Sequence, residues 1–204
     1  MTKRQLQGAR SRDVILDAAA RLMAANGYEG ASISGISKES GLPASSIYWH
    51  FASKEGVLGA VMERGAARFF ADVGARDLPQ GSPRDVLRAE FEAAAAAIER
   101  NPDFLRLFML LLLSRGIDET VQRVRRQGRE RLHEVIRIAY AGHGREVAGT
   151  VADHLADAAV AMFDGAFLAV QNDPSLTYEA LLKTMADALA ALGDAFVASA
   201  ATSR

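Results

Sequence analysis

Apolar positions recur at three- and four-residue spacing along nearly the whole chain, and no stretch sustains the alternation of a half-buried strand. From Ser11, the rows Val14/Ala18/Leu22 and Ile15/Ala19/Met23 make one apolar stripe of a helix. Asn26-Gly27 stops it, since glycine takes the left-handed conformation beyond a helix end without cost. Ser32 can cap a short second helix that buries Ile33 and Ile36 and ends at Gly41. Pro43 fits the first turn of a third helix, Ala44 to Phe51, of only about two turns. Ser53 can cap a longer fourth carrying Val57, Leu58, Val61, Met62, Phe69 and Phe70.

Punctuation at helix-length intervals continues the pattern. Leu78-Pro79-Gln80-Gly81 breaks the chain, and Ser82-Pro83-Arg84-Asp85 reads as a cap with proline at the first helical position. Asn101-Pro102, Gly116-Ile117-Asp118 and Gly142-His143-Gly144 separate the next helices. A long helix is expected from about Arg145 to Gln171, closed by Asn172-Asp173-Pro174, and a last one from about Tyr178 to Ser199. The expectation is an all-α protein of nine helices. Residues 1–56 would form a three-helix helix-turn-helix domain, and 57–204 a larger helical domain.

The third helix has an unusual surface. At about 100° per residue, Ile47 and Phe51 share one side with Ala44 near them, and Ser45 and Trp49 point the other way, flanked by Ser46 and Tyr48. Large aromatics at a surface imply a partner. The DNA major groove admits a helix, hydroxyls can bond base edges, and an aromatic face can meet thymine methyls. His50 and Lys54 then stand where phosphates would pass.

Composition sharpens this reading. Of the 204 residues, 50% are hydrophobic and 24% charged, enough for a packed core, and no cysteine is present for disulfides, thiolate chemistry or Cys-based zinc sites. The longest apolar run, Leu107 to Leu113, is seven residues, against about 20 for a membrane span. No signal-peptide pattern follows Lys3 and Arg4, so cytoplasmic residence is expected. The net charge is −1, yet residues 1–54 hold seven basic residues (Lys3, Arg4, Arg10, Arg12, Arg21, Lys38, Lys54) against four acidic ones (Asp13, Asp17, Glu29, Glu39). The positive excess lies where phosphate contact needs it.

Residues from about Ser11 to Met62 resemble the DNA-binding domain of the tetracycline-repressor family. The likeness is carried by Ser32-Ile33-Ser34-Gly35-Ile36-Ser37, Gly41-Leu42-Pro43, Ile47-Tyr48-Trp49-His50-Phe51 and Ser53-Lys54-Glu55. It implies DNA-facing positions at Ser32, Ser34, Ala44, Ser45, Ser46, Tyr48, Trp49, His50 and Lys54. It also implies a transcriptional regulator that dimerises and binds a small-molecule effector in the second domain. Most such proteins would act as repressors released from a palindromic operator. The family often has Lys or Gln where Ala44 stands and Arg or another polar residue where Ser34 stands, so base readout is expected to be lean, with more left to the N-terminal arm (Lys3, Arg4, Arg10) and to DNA shape.

In the second domain, Phe91, Phe104, Phe108, Met109, Leu112, Tyr140, Met162, Phe163 and Phe167 are candidates for a largely apolar effector pocket, each also an ordinary core residue. His133, His154 and Gln171 are candidate polar anchors. Val151, Leu155, Met162, Ala166 and Ala169 stripe one side of the eighth helix, and Val160, Phe163, Phe167 and Val170 another. The ninth repeats this with Leu181, Leu182, Met185, Leu189, Leu192 and Phe196. Helices apolar around more than half their girth need two partners, which points to a homodimer through the last two helices. Arg123, Arg125, Arg126, Arg129 and Arg131 read as a solvated face, with Glu130 and Glu134 at pairing distance. Asp153, His154 and Asp157 share a turn but offer too few ligands for a metal, and no cofactor or catalytic set stands out. The rival readings are a helical enzyme and an effector-independent architectural DNA binder.

Overall fold

The computed structural model describes residues 3–75, 77–114 and 119–202, with the side chains of residues 3, 4, 201 and 202 excepted. The turn expected at Gly116-Ile117-Asp118 and the side chains of Lys3 and Arg4 lie outside that description. Among the described residues there are nine α-helices and no strand: α1 (Lys3–Gly30), α2 (Ile33–Ser40), α3 (Ala44–Phe51), α4 (Lys54–Val73), α5 (Pro83–Arg100), α6 (Pro102–Leu113), α7 (Glu119–Ala139), α8 (Arg145–Asn172) and α9 (Tyr178–Thr202). One 3-10 turn, Ala141–His143, links α7 to α8.

Two compact units result, one of Met1–Phe69 with Asn101–Val124, the other of Phe70–Arg100 with Arg125–Arg204. The first is therefore larger than a motif ending at residue 56, because α4 up to Phe69 and the whole of α6 pack into it. Its α1 also starts eight residues before Ser11, whose hydroxyl donates to the Gln7 carbonyl one turn back at 2.9 Å. Gly27 (φ 73°) interrupts α1 as expected, and the chain resumes a helical turn through Gly30.

Within this unit Ile15, Leu16 and Met23 of α1, Ile36 of α2, Ile47 of α3 and Met62 of α4 are fully or almost fully buried. Helix α6 lies against α1. Phe104 stacks on Phe108 with ring centroids 6.1 Å apart, and its ring covers Gly65 of α4, where any side chain would overlap it. Arg64 of α4 reaches α1, donating to Asp17 Oδ1 at 2.7 Å and to the Asp13 carbonyl at 3.3 Å.

The second unit is held by arginines that the helical periodicity of α7 does not pair correctly. Arg131 places two hydrogen bonds, 2.7 and 2.6 Å, on the carboxylate of Glu90 in α5, which is only 3% exposed. Arg129 bonds Asp157 of α8 at 2.6 Å, and Glu134 pairs with Arg137 rather than with the run. Arg123, Arg125 and Arg126 are exposed, as a solvated face requires, and the departures from that expectation are Arg129 and Arg131. The acids come from other helices, so spacing along α7 alone could not reveal them. Removing one partner of the Glu90 pair would strand a buried charge. Arg88 of α5 likewise clasps Asp187 of α9 at 2.7 and 2.8 Å.

Tyr140, at the end of α7, is fully buried, and its hydroxyl donates to the Ala190 carbonyl at 2.7 Å. Burial, then the nearby Asp194 carboxylate, push its phenol far above the ordinary tyrosine range. The ring lies where any side chain on Gly193 would stand. Gly193→Ala is expected to destabilise the protein by about 1–3 kcal/mol through overpacking, read as a lower thermal midpoint. An unchanged midpoint would contradict the packing described.

Candidate nucleic-acid interface

The motif is assembled by small polar residues. Ser32 caps α2, accepting the Gly35 amide at 3.0 Å, and its hydroxyl also meets that of Ser34 at 3.0 Å. Gly41 closes α2 in the left-handed conformation (φ 68°), which a side chain would strain. Ser37 then donates to the Leu42 carbonyl at 2.7 Å, and the Leu42 amide to Ser40 Oγ at 3.3 Å, so the turn into α3 is tied at both ends. Pro43 stands as the residue before α3, with extended backbone.

Helix α3 is anchored by its two buried residues, Ile47 and Phe51. Trp49 is 77% exposed and Tyr48 53%. Ser45 is exposed, while Ala44, Ser46 and His50 are half-buried. The structure thus brings Ser45, Tyr48 and Trp49 to one outer surface. Ser32 and Ser34 are exposed at the start of α2.

The exit from α3 is tight. Ser53 N–H donates to the Phe51 carbonyl at 2.7 Å across Ala52, which has φ 61°. Such a three-residue turn is rare and strained for a residue with a side chain. Ser53 then caps α4, accepting the Gly56 amide at 3.1 Å, and the Phe51 carbonyl occupies the place of any side chain on Gly56. The angle between α3 and α4 is set by that close approach. Lys54, at the first position of α4, lays its ammonium 4.2 Å from the centre of the Tyr28 ring, with Glu29 at 4.0 Å. Glu55 accepts from Tyr28 at 2.9 Å, and bonds from its own amide, Ser53 and Tyr28 hold its carboxyl below the usual range.

Two features escaped the sequence reading. Arg12 of α1 lies over the Phe51 ring, 5.3 Å from its centroid. Gln7, Gly8 and Ser11 border an open cleft beside Ser45, Ser46, Trp49 and His50. A helix start placed at Ser11 hid them, although Gln7 stands one turn before it. Partial burial, and then the Arg12 charge, lower the pKa of His50 below the ordinary histidine value. Its ring meets Trp49 edge-on at 4.5 Å.

Residues 15–61 match the family model of the bacterial regulatory proteins of the tetR family. The match covers α1 from Ile15, the whole of α2 and α3, and α4 as far as Val61. No curated protein matches the sequence. Solved structures of similar fold extend over most of the chain. A TetR-family transcriptional regulator from Agrobacterium tumefaciens is 21% identical with a TM-score of 0.70, covering 88% of this chain and 97% of its own. The TetR-family regulator PfmR from Thermus thermophilus is 23% identical with a TM-score of 0.65, covering 86% and 96%. A protein from Saccharomonospora viridis, described as a candidate transcriptional regulator and solved with choline, is 20% identical with a TM-score of 0.69, covering 88% and 94%.

The residues expected around an effector fall in both units. On α6, Phe104, Phe108 and Met109 are buried and Leu112 half-buried. In the second unit Phe91, Tyr140 and Phe167 are buried, and Met162, Phe163 and His133 half-buried. Tyr140 is committed to Ala190 and Phe167 stacks near Tyr178 at 5.9 Å. Among the three anchors, His133 faces Asp153 at 2.9 Å, His154 Nδ1 lies 2.7 Å from the Thr150 carbonyl, and Gln171 donates to Tyr178 at 2.9 Å. Asp157 is held by Arg129. Among the described residues no group of three or more His, Cys, Asp or Glu could hold a metal, and no helix is long and apolar enough to cross a membrane.

A histidine with a depressed folded pKa gives stability that is present above its unfolded pKa and lost as pH falls toward the folded one. An NMR titration should place the His50 midpoint below the ordinary range, and Arg12→Gln should raise it. No movement in the variant would show that Arg12 does not act on this ring.

Proposed function

We propose that the protein is a transcriptional regulator of the tetR family, a homodimeric repressor that holds a palindromic operator with two copies of α3 and releases it when a small, largely apolar effector binds in the second domain. One observation carries the DNA reading: α3 spends its aliphatic and Phe51 side on the core and offers Trp49 and Tyr48 to solvent. Ser45, Ser46, Tyr48 and Trp49 face base edges, with Ala44 small enough to let the helix approach closely. His50, Lys54, Ser32 and Ser34 take phosphates. The protein works in the cytoplasm, where its operator lies.

Dimerisation is supported by apolar surface on the last two helices. Leu192 of α9 is 51% exposed and Leu168 of α8 38%. Ala161 and Gly165, which precede Leu168 on α8, are exposed as well and would let a second backbone come close. A symmetric pair places two reading helices about 34–36 Å apart, one DNA turn. The choline complex of the Saccharomonospora viridis protein supports small-molecule binding by this fold. The effector acts by binding unequally to two dimer geometries, with α4 as the lever and a coupling of about 1–3 kcal/mol.

Selection from a random DNA pool is expected to return a palindrome; sequences without two-fold symmetry would overturn the dimeric reading. Trp49→Ala should weaken operator binding by about 1–3 kcal/mol. Lys54→Met, which keeps the stem over Tyr28, should weaken all sequences alike and lower the salt slope by about one. Loss confined to the operator would make Lys54 a base reader instead.

Leu192→Asp should convert the protein to a monomer in sedimentation and weaken operator binding in parallel. A dimer that survives this substitution would place the interface elsewhere.

A further inference from the structure

Between the first turns of α1 and the outer side of α3 runs an open cleft of about 490 Å³, lined from α1 by Gln7, Gly8 and Ser11 and from α3 by Ser45, Trp49 and His50. Its chemistry is one-sided. Amide, hydroxyl, indole and imidazole groups border it, and no carboxylate does. Arg12, one residue beyond Ser11, brings a guanidinium held over the Phe51 ring at the foot of α3. Such a set suits oxygen atoms that carry negative charge.

Gly8 is the second observation. It lies inside α1, where glycine weakens a helix relative to alanine. No atom lies within 4 Å of the position its Cβ would take, so no neighbour in the chain requires the missing side chain. Gly8 lines the cleft, and without a side chain it leaves that stretch of α1 backbone bare. Opposite stands the most exposed aromatic of the protein, Trp49.

We propose that this cleft seats one sugar–phosphate strand of the operator, gripped by α1 through Gln7, Ser11 and Arg12 while α3 reads the adjoining groove. The inference rests on the DNA-reading role of α3 and adds to it a contact that is indifferent to sequence. The amino-terminal part of α1 thereby becomes a helical half of the interface rather than a tail. Gly8 is the point at which the backbone of the duplex comes nearest to that of the protein.

The test uses the full-length protein, a selected operator duplex and an unrelated duplex, with binding read by fluorescence anisotropy over a range of salt. Gly8→Leu should melt at or above the wild-type temperature, since it replaces a helical glycine and meets no neighbour. It should nonetheless weaken both duplexes by about tenfold or more. Arg12→Gln should lower the salt slope by about one on both. If both variants bind both duplexes as the wild type does, while Trp49→Ala loses the operator, the cleft is not a strand seat and the reading by α3 stands. If the wild type binds neither duplex, the DNA reading itself falls and this inference with it.

Discussion

The seating of Ile47 and Phe51 in the core of the first unit is the constraint on which the functional surface depends. A helix of eight residues has no stability of its own in water, because nucleation costs more than so few hydrogen bonds return. It persists because two large side chains on one face are removed from solvent, each contributing about 1.5–3 kcal/mol. That anchorage fixes the helix in rotation as well as in place. Once Ile47 and Phe51 are inside, Ser45 and Trp49 have no direction left but outward. The strained turn at Ala52 and the contact of Gly56 with the Phe51 carbonyl then tie the rotation of α3 to the start of α4.

The same economy of charge runs through both units. In the first, Asp13 and Asp17 of α1 are engaged by Arg64, and Glu39 by Arg21, while the Arg12 cation lies over the Phe51 ring at the end of α3. In the second, arginines of α7 and α5 are consumed by Glu90, Asp157 and Asp187. Arg129 and Arg131, which read along α7 as part of a solvated face, are struts between helices, while Arg123, Arg125 and Arg126 stay exposed. The buried Glu90 pair is the costliest of these to disturb, since either partner alone would be an uncompensated charge in the interior.

How much of this was legible in the sequence follows from what kind of information each feature needs. The helices, the limits of α3 and the caps at Ser32, Ser53 and Ser82 depend on residues close along the chain, and the structure has them where local patterning put them. The outward direction of Trp49 was readable because a two-turn helix leaves one angular solution. The early start of α1 was not, as Gln5 to Gly8 carry no apolar period, and with it the cleft beside α3 stayed hidden. The partners of the α7 arginines come from helices far away in sequence, where periodicity is silent. Tyr140 was read as a pocket aromatic, yet its hydroxyl is spent on Ala190 and its ring on the gap over Gly193, a fit that only tertiary packing creates.

The indole of Trp49 is the sole tryptophan, so its emission reports on the reading helix without labelling. Titrating selected operator DNA into the protein should shift or quench that emission and shield it from acrylamide, saturating at one duplex per dimer. An indole whose emission and quencher access stay the same in a complex proven by gel shift would contradict the claim that α3 faces the DNA.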